Sequence, residues 1–179
     1  GVIAGVVLLI RRIPPPPRHL WKSLFFVMLG AVFGWPIFIA VALNYTTAAH
    51  ASVIAAFLPL ATAVFAVWIT REHVTRAFWF AAVLGTTAVI AFSLSRGELG
   101  PGSVIADTML VLGVIASSVG YVLGAKATKS IPGWQVISWV VVMALPITVP
   151  VSAVLWWTTK DSYVTTGSQW GALIVLGVS

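Results

Sequence analysis

No cysteine occurs among the 179 residues, which excludes disulfides and thiolate metal sites and leaves the redox compartment unread. Acid is almost as scarce: Asp and Glu together number 4, against 10 Lys and Arg. Only 8% of residues are charged while 60% are hydrophobic, and the mean hydropathy is +1.05. A soluble globular domain is not built this way, so the composition defines a polytopic membrane protein. In a soluble chain, a net charge of +6 and a pI of 10.4 would suggest nucleic acid. Here the basic residues fall in loops, where they set orientation, and no nucleic-acid partner is expected.

Chemistry is missing as well. The apolar stretches hold no Asp, Glu, Lys or Arg, so a carboxylate proton relay within the bilayer is absent from them. A buried-Glu multidrug carrier is excluded on the same ground. Ser and Thr are plentiful, yet no Asp or His accompanies them at membrane depth, and neither Gly-x-Ser-x-Gly nor His-Glu-x-x-His occurs. An enzyme is not expected, nor a cofactor or a metal. The glycine-rich segment 96–103 lacks the lysine and strand context of a phosphate-binding loop and reads as a turn.

What the chain does have is long charge-free runs. None of the residues between Lys22 and Arg71 is Asp, Glu, Lys or Arg. About 20 apolar residues already cross the ~30 Å hydrocarbon core, so this run must fold back on itself. The polar cluster Asn44-Tyr45-Thr46-Thr47 with His50 is the place to turn, giving helices over 23–43 and 51–70. His50, at this turn, reads as a solvated or capping group. Pro59 in mid-helix removes a backbone hydrogen bond, and lipid tolerates such a break only against protein or a water-filled cavity. The stretch therefore points inward, toward a site.

Further helices are expected over 77–95, 108–125 and 134–157. Asp107 is expected to cap the second of these, and Pro146 and Pro150 to bend the third. Pro14 to Pro17 form a short polyproline II connector. Gly30-x-x-x-Gly34 allows close helix approach, as does the row Ala116, Gly120 and Gly124. The apolar ends, 1–10 and 170–179, are each about half a span. The chain accordingly reads as a fragment whose ends cut through helices.

Loops 11–22, 71–76 and 126–133 hold eight of the ten Lys and Arg residues. Loops 44–50, 96–107 and 158–169 hold the other two, with three of the four acids. This asymmetry places the first set in the cytoplasm. Leu29-Gly30-Ala31 returns as Leu176-Gly177-Val178 in a helix of opposite direction, as an inverted repeat requires.

The pattern Ala40-x-x-x-Asn44-Tyr45-Thr46-Thr47-Ala48, Ala51-Ser52, Leu58-Pro59-Leu60 and Glu72-x-x-Thr75 resembles the EamA-type branch of the drug/metabolite transporter superfamily. Asp107-x-x-Leu110 through Tyr121 is similar to the sixth helix of that family. The resemblance implies an all-α, ten-helix transporter made of two inverted five-helix repeats. Residues 1–95 would belong to the first repeat, 96–106 to the linker and 107–179 to the second. The implied activity is alternating-access export or uptake of a small, amino-acid-like metabolite across the inner membrane. A non-transporting membrane subunit and a nucleotide-sugar-type carrier are the alternatives. The latter would need basic residues in its cavity. The expected cavity lining is Trp35, Phe38, Asn44, Tyr45, Ser52, Pro59, Thr62, Ser117, Ser118 and Tyr121, and the resemblance adds a gating contact at Glu72. Partners are the small-molecule substrate and the lipid bilayer, with a homodimer left open.

Overall fold

A computed structural model describes residues 1–71, 75–95 and 103–159. Among them every regular element is helical: α1 (Val2–Ile10), α2 (Trp21–Val27), α3 (Trp35–Ala42), α4 (Ala48–Ala55), α5 (Leu58–Thr70), α6 (Arg76–Ser95), α7 (Val104–Ala127) and α8 (Gly133–Thr159). Four stretches are long and apolar enough to cross a membrane: Arg18–Ala42, Ala48–Thr70, Val104–Ala127 and Gly133–Thr158. The protein is an all-α membrane helix bundle. Helix α6 has 20 residues, of which Arg76–Phe92 form its apolar part. Large apolar side chains point outward, Trp68 being 77% exposed, as a lipid-facing surface requires.

The chain divides into two units, Gly1–Ala144 and Leu145–Ser179. The described part of the second is the end of α8, which carries Pro146 and Pro150 inside the helix. In the first unit α7 is the centre, touching α2, α3, α4 and α5 along its length. Its burial follows from its small residues. Gly113, Ser117, Ser118 and Gly120 are all buried and leave room for neighbouring backbones.

Between α2 and α3 the backbone widens into a π-helical segment, Met28–Gly34, where the Trp35 N–H donates to the Gly30 carbonyl five residues back. Pro36 has no N–H to give and its ring crowds the preceding turn, so a widened turn just before it relieves both. The segment crosses α7 at very short range. A Cβ on Gly30 would collide with the Ala116 carbonyl oxygen, and one on Gly120 would sit 3.1 Å from the Ala31 nitrogen. Only glycine fits this crossing.

The expected 51–70 helix is two helices. It begins at Ala48, with Thr47 as N-cap accepting from the His50 N–H, and stops at Ala55. It restarts at Leu58, so that Pro59 occupies the first turn of α5 rather than the middle of a kinked rod. The Ala56 carbonyl, released by the break, accepts a 2.9 Å bond from the buried Thr86 hydroxyl of α6. This is how a broken helix keeps its polar backbone satisfied in lipid.

Two local expectations are corrected. Asp107 does not cap α7: the helix begins at Val104 after Ser103, and the Asp107 N–H already donates to the Ser103 carbonyl at 2.9 Å. The Gly-Pro-Gly-Ser run hid this earlier start. Nor does His50 stand in the turn as a purely solvated side chain: it lies in the first turn of α4. Its ring Nε2 lies 2.7 Å from Asp107 Oδ1.

Candidate functional site

Three levels can be read along α7. At the Val104 end, Ala42, Ala51, Ala106 and Leu110 close a small apolar seam, each 0–2% exposed. At mid-length, Trp35 and Phe38 of α3 pack on Gly113, within 3.2–3.7 Å of where its Cβ would stand. Ser117, fully buried, returns its hydroxyl to the Gly113 carbonyl at 2.7 Å. Thr62 of α5 bonds its own Leu58 carbonyl at 2.7 Å and meets the Ser118 hydroxyl at 3.4 Å. That contact is a polar link across the α5–α7 crossing.

Toward the other end, a pocket of about 140 Å³ lies between α5 and α7, lined by Thr62, Ala66, Thr70, Tyr121, Val122, Ala125, Lys126 and Lys129. Basic groups from separate loops meet nearby. His19, Lys22 and Lys126 share a second pocket of about 390 Å³, and the Arg11 guanidinium stands 5.6 Å over the Trp134 ring. A basic end and an apolar, closed end are thus separated by a hydroxyl-bearing middle. A larger hollow of about 530 Å³ lies along the helix break. It is lined by Ala55, Ala56, Leu58, Pro59, Phe78, Ala81, Ala82, Gly85, Thr86 and Val89 and is almost wholly apolar.

The expected lining is therefore only partly gathered. Thr62, Ser118 and Tyr121 come together, and Pro59 begins the helix that carries Thr62. Trp35 and Phe38 pack on Gly113, about two turns from Tyr121, and Ser117 lies between, bonded to the Gly113 carbonyl; the pockets between Tyr121 and α5 and between Tyr121 and Val27 do not include Trp35. Asn44 turns its amide to the Ala40 carbonyl at 2.9 Å, ending α3, and the exposed Ser52 bonds the Ala49 carbonyl. Tyr45 is exposed beside them. Glu72, Leu176-Gly177-Val178, nearly all of the 96–103 turn and the 158–169 loop fall outside the described residues. Sequence reasoning missed Thr70, Lys126 and Lys129 as pocket lining. The lysines read locally as helix-terminal cations, and only their positions four and seven residues after Val122 hinted that they share its face.

Helices of this length, polarity and packing define a multi-pass α-helical membrane protein. Residues 1–94 match the EamA-like transporter family, and the chain belongs to that family. It is also 39% identical over 163 residues to a Bacillus subtilis (strain 168) protein described as the uncharacterized transporter YdeK. That match covers 91% of this chain and 55% of the relative, so the chain spans about half the length of the protein it resembles. No solved structure matches it. Family and relative point to a membrane transporter rather than an enzyme.

Proposed function

We propose that this chain forms part of a ten-helix inverted-repeat carrier that moves small metabolites across the cytoplasmic membrane by alternating access. In this reading residues 1–95 and 107–179 come from opposite repeats and loops 11–22, 71–76 and 126–133 face the cytoplasm. The observation that carries it is the Thr62–Ser118 link beside the pocket that Tyr121 and Lys126 line. Hydroxyls, one ring face and a cation in a small recess suit a compact polar solute such as an amino acid. The adjoining break at 56–57 supplies the hinge that rearrangement of α5 needs.

Flux is the test. The full-length protein in proteoliposomes, offered labelled amino acids, is expected to exchange at least one of them, and Thr62→Val with Tyr121→Ala to suppress that exchange about tenfold. No flux of any amino acid, with the protein folded, overturns the amino-acid reading. Orientation is tested by reporter fusions: those at Pro15, Thr75 and Ser130 should report cytoplasm, and those at Gly100 and Ser162 the opposite side. A cytoplasmic signal from Gly100 overturns the crossing by α6.

A second reading draws on Lys126 and Lys129. Basic residues in the cavity were the missing requirement for a phosphate-bearing cargo, and these two line the pocket. Flux of a nucleotide sugar, lost in Lys126→Gln, would favour it over the amino acid.

A further inference from the structure

The closed end of α7 is held by a polar contact between two ionisable side chains. Over the seam of Ala42, Ala51, Ala106 and Leu110, His50 Nε2 lies 2.7 Å from Asp107 Oδ1. The partners are 57 residues apart and fasten the first turn of α4 to the first turn of α7. Their side chains keep 20% and 45% exposure, so water and protons reach them while the seam beneath stays dry. Neither group is needed where it stands for helix capping. Thr47 already accepts the His50 N–H, and α7 has begun before Asp107.

Few other ionisable groups belong to the elements that meet here. Tyr45 lies in the turn before α4. Helix α6, packed on α4, carries only Arg76 at its start, and α7 beyond Asp107 carries only Tyr121 and Lys126 toward its other end. Arg96 and Glu98 lie outside the described residues.

We propose that His50 and Asp107 form a proton-sensitive latch that closes the carrier on its non-cytoplasmic side. The proposal rests on the carrier reading and on the orientation set by the basic loops. Histidine is the side chain that ordinarily changes charge between pH 5 and 8. With the imidazole protonated and the carboxylate ionised, the contact is a charge-assisted ion pair. When the imidazole is neutral, a plain hydrogen bond from Nε2–H to the carboxylate remains. A bond made only when α4 and α7 are together draws the population toward that closed arrangement. The sign follows from the contact: a cationic imidazole holds the carboxylate more tightly than a neutral one, so external acid is expected to tighten the latch. External base weakens it, and the outward-open arrangement gains population. Because both side chains are partly exposed, solvent screens the pair, and the expected population change is roughly three- to fivefold.

External access to the middle of the pathway reads this directly, without knowing the cargo. The full-length carrier is given a single cysteine by Thr62→Cys, any other cysteines being replaced, and is exposed in right-side-out vesicles to a membrane-impermeant thiol reagent. Each rate is divided by that of the same protein with Asp107→Asn at the same pH, which cancels the titration of the thiol itself. The expected ratio is roughly one-third to one-fifth at pH 5.5, rising toward one at pH 8. His50→Gln should remove this pH response, and the exchange His50→Asp with Asp107→His should restore it. A ratio below one that does not change with pH makes the pair a fixed structural contact and overturns the proposal. A ratio of one at both pH values overturns it too. Should Asp107→Asn fail to fold, His50→Gln serves as the divisor and the exchanged pair as the control. If no solute shows flux while the ratio still moves with pH, the transport reading fails and the latch stands.

Discussion

The two faces of α7 are packed on opposite principles. On one, the π-helical segment 28–34 lies against Ala116 and Gly120 backbone to backbone, with nothing that could yield but main chain. On the other, α5 meets α7 through Thr62 and Ser118, beside a recess of about 140 Å³. The first contact has no polar side chain and no room for a Cβ at Gly30 or Gly120. The second has polar side chains and a recess at the crossing, and α5 is severed from α4 just beyond it. A helix fixed along one face and adjustable along the other can serve as the post against which a partner rearranges, since packed interfaces switch between discrete arrangements rather than deform smoothly.

Breaking the fixed face should have the largest effect. Gly30→Leu or Gly120→Leu forces a side chain into main-chain atoms, so the cost should reach or exceed the ~1–3 kcal/mol usual for overpacking. The measurement is the fraction of monodisperse protein and its melting midpoint in detergent, and most of the folded material should be lost. Gly85 is the contrast, because nothing lies within 4 Å of a Cβ placed there. Gly85→Ala should leave the midpoint unchanged or raise it slightly. Equal losses at Gly30 and Gly85 would mean that the crossing is not the fixed point.

On the adjustable face the effect should appear in transport before stability. Thr62→Val deletes one interhelical contact, of a kind worth about 0.6 kcal/mol on average within membranes. Flux should nevertheless fall about tenfold if Thr62 touches the solute, equivalent to about 1.4 kcal/mol. A midpoint shift as large as that of Gly30→Leu would show that the two faces are alike.

The break itself should respond next. Thr86→Val leaves the Ala56 carbonyl without its 2.9 Å donor, and an unsatisfied buried acceptor costs roughly 1–3 kcal/mol. Pro59→Ala restores an N–H to the first turn of α5 and should spare expression while lowering flux several-fold. Unchanged flux with normal yield would make Pro59 a packing feature only.

Much of this architecture was legible from the residues. A charge-free run too long for one crossing had to turn, and Asn44 to Thr47 offered the only polar place to do so. Pro59 announced the break because its chemistry is local. The small residues of α7 announced close approach for the same reason. What stayed hidden depended on partners distant in the chain. No periodicity foretold the widened turn at 28–34, whose cause is Pro36 together with the pressure of α7. Asp107 is a good capping residue by type, so its use as the partner of His50 could not be told from a cap. Of the expected lining, Thr62, Ser118 and Tyr121 met because α5 crosses α7 there. Trp35 and Phe38 instead packed on Gly113, because a glycine without a side chain leaves a flat bed for aromatic rings.

The smallest expected effect separates two neighbours. Ser117 and Ser118 are both fully buried, and composition alone treats them alike. The Ser117 hydroxyl is spent within its own helix on the Gly113 carbonyl, at 2.7 Å. That carbonyl lies inside a continuous helix and can still accept from the main chain. Ser117→Ala should therefore shift the midpoint by less than about 0.5 kcal/mol and leave flux as it was. Ser118→Ala removes the contact to Thr62 on α5 and should act on flux in the same direction as Thr62→Val. A double variant of Thr62 and Ser118 should then cost no more than the worse single one, since both report one link. If Ser117→Ala instead lowers flux as much as Ser118→Ala, the hydroxyls of α7 act as one polar layer. The division of α7 into a fixed and an adjustable face would then have to be redrawn around position 117.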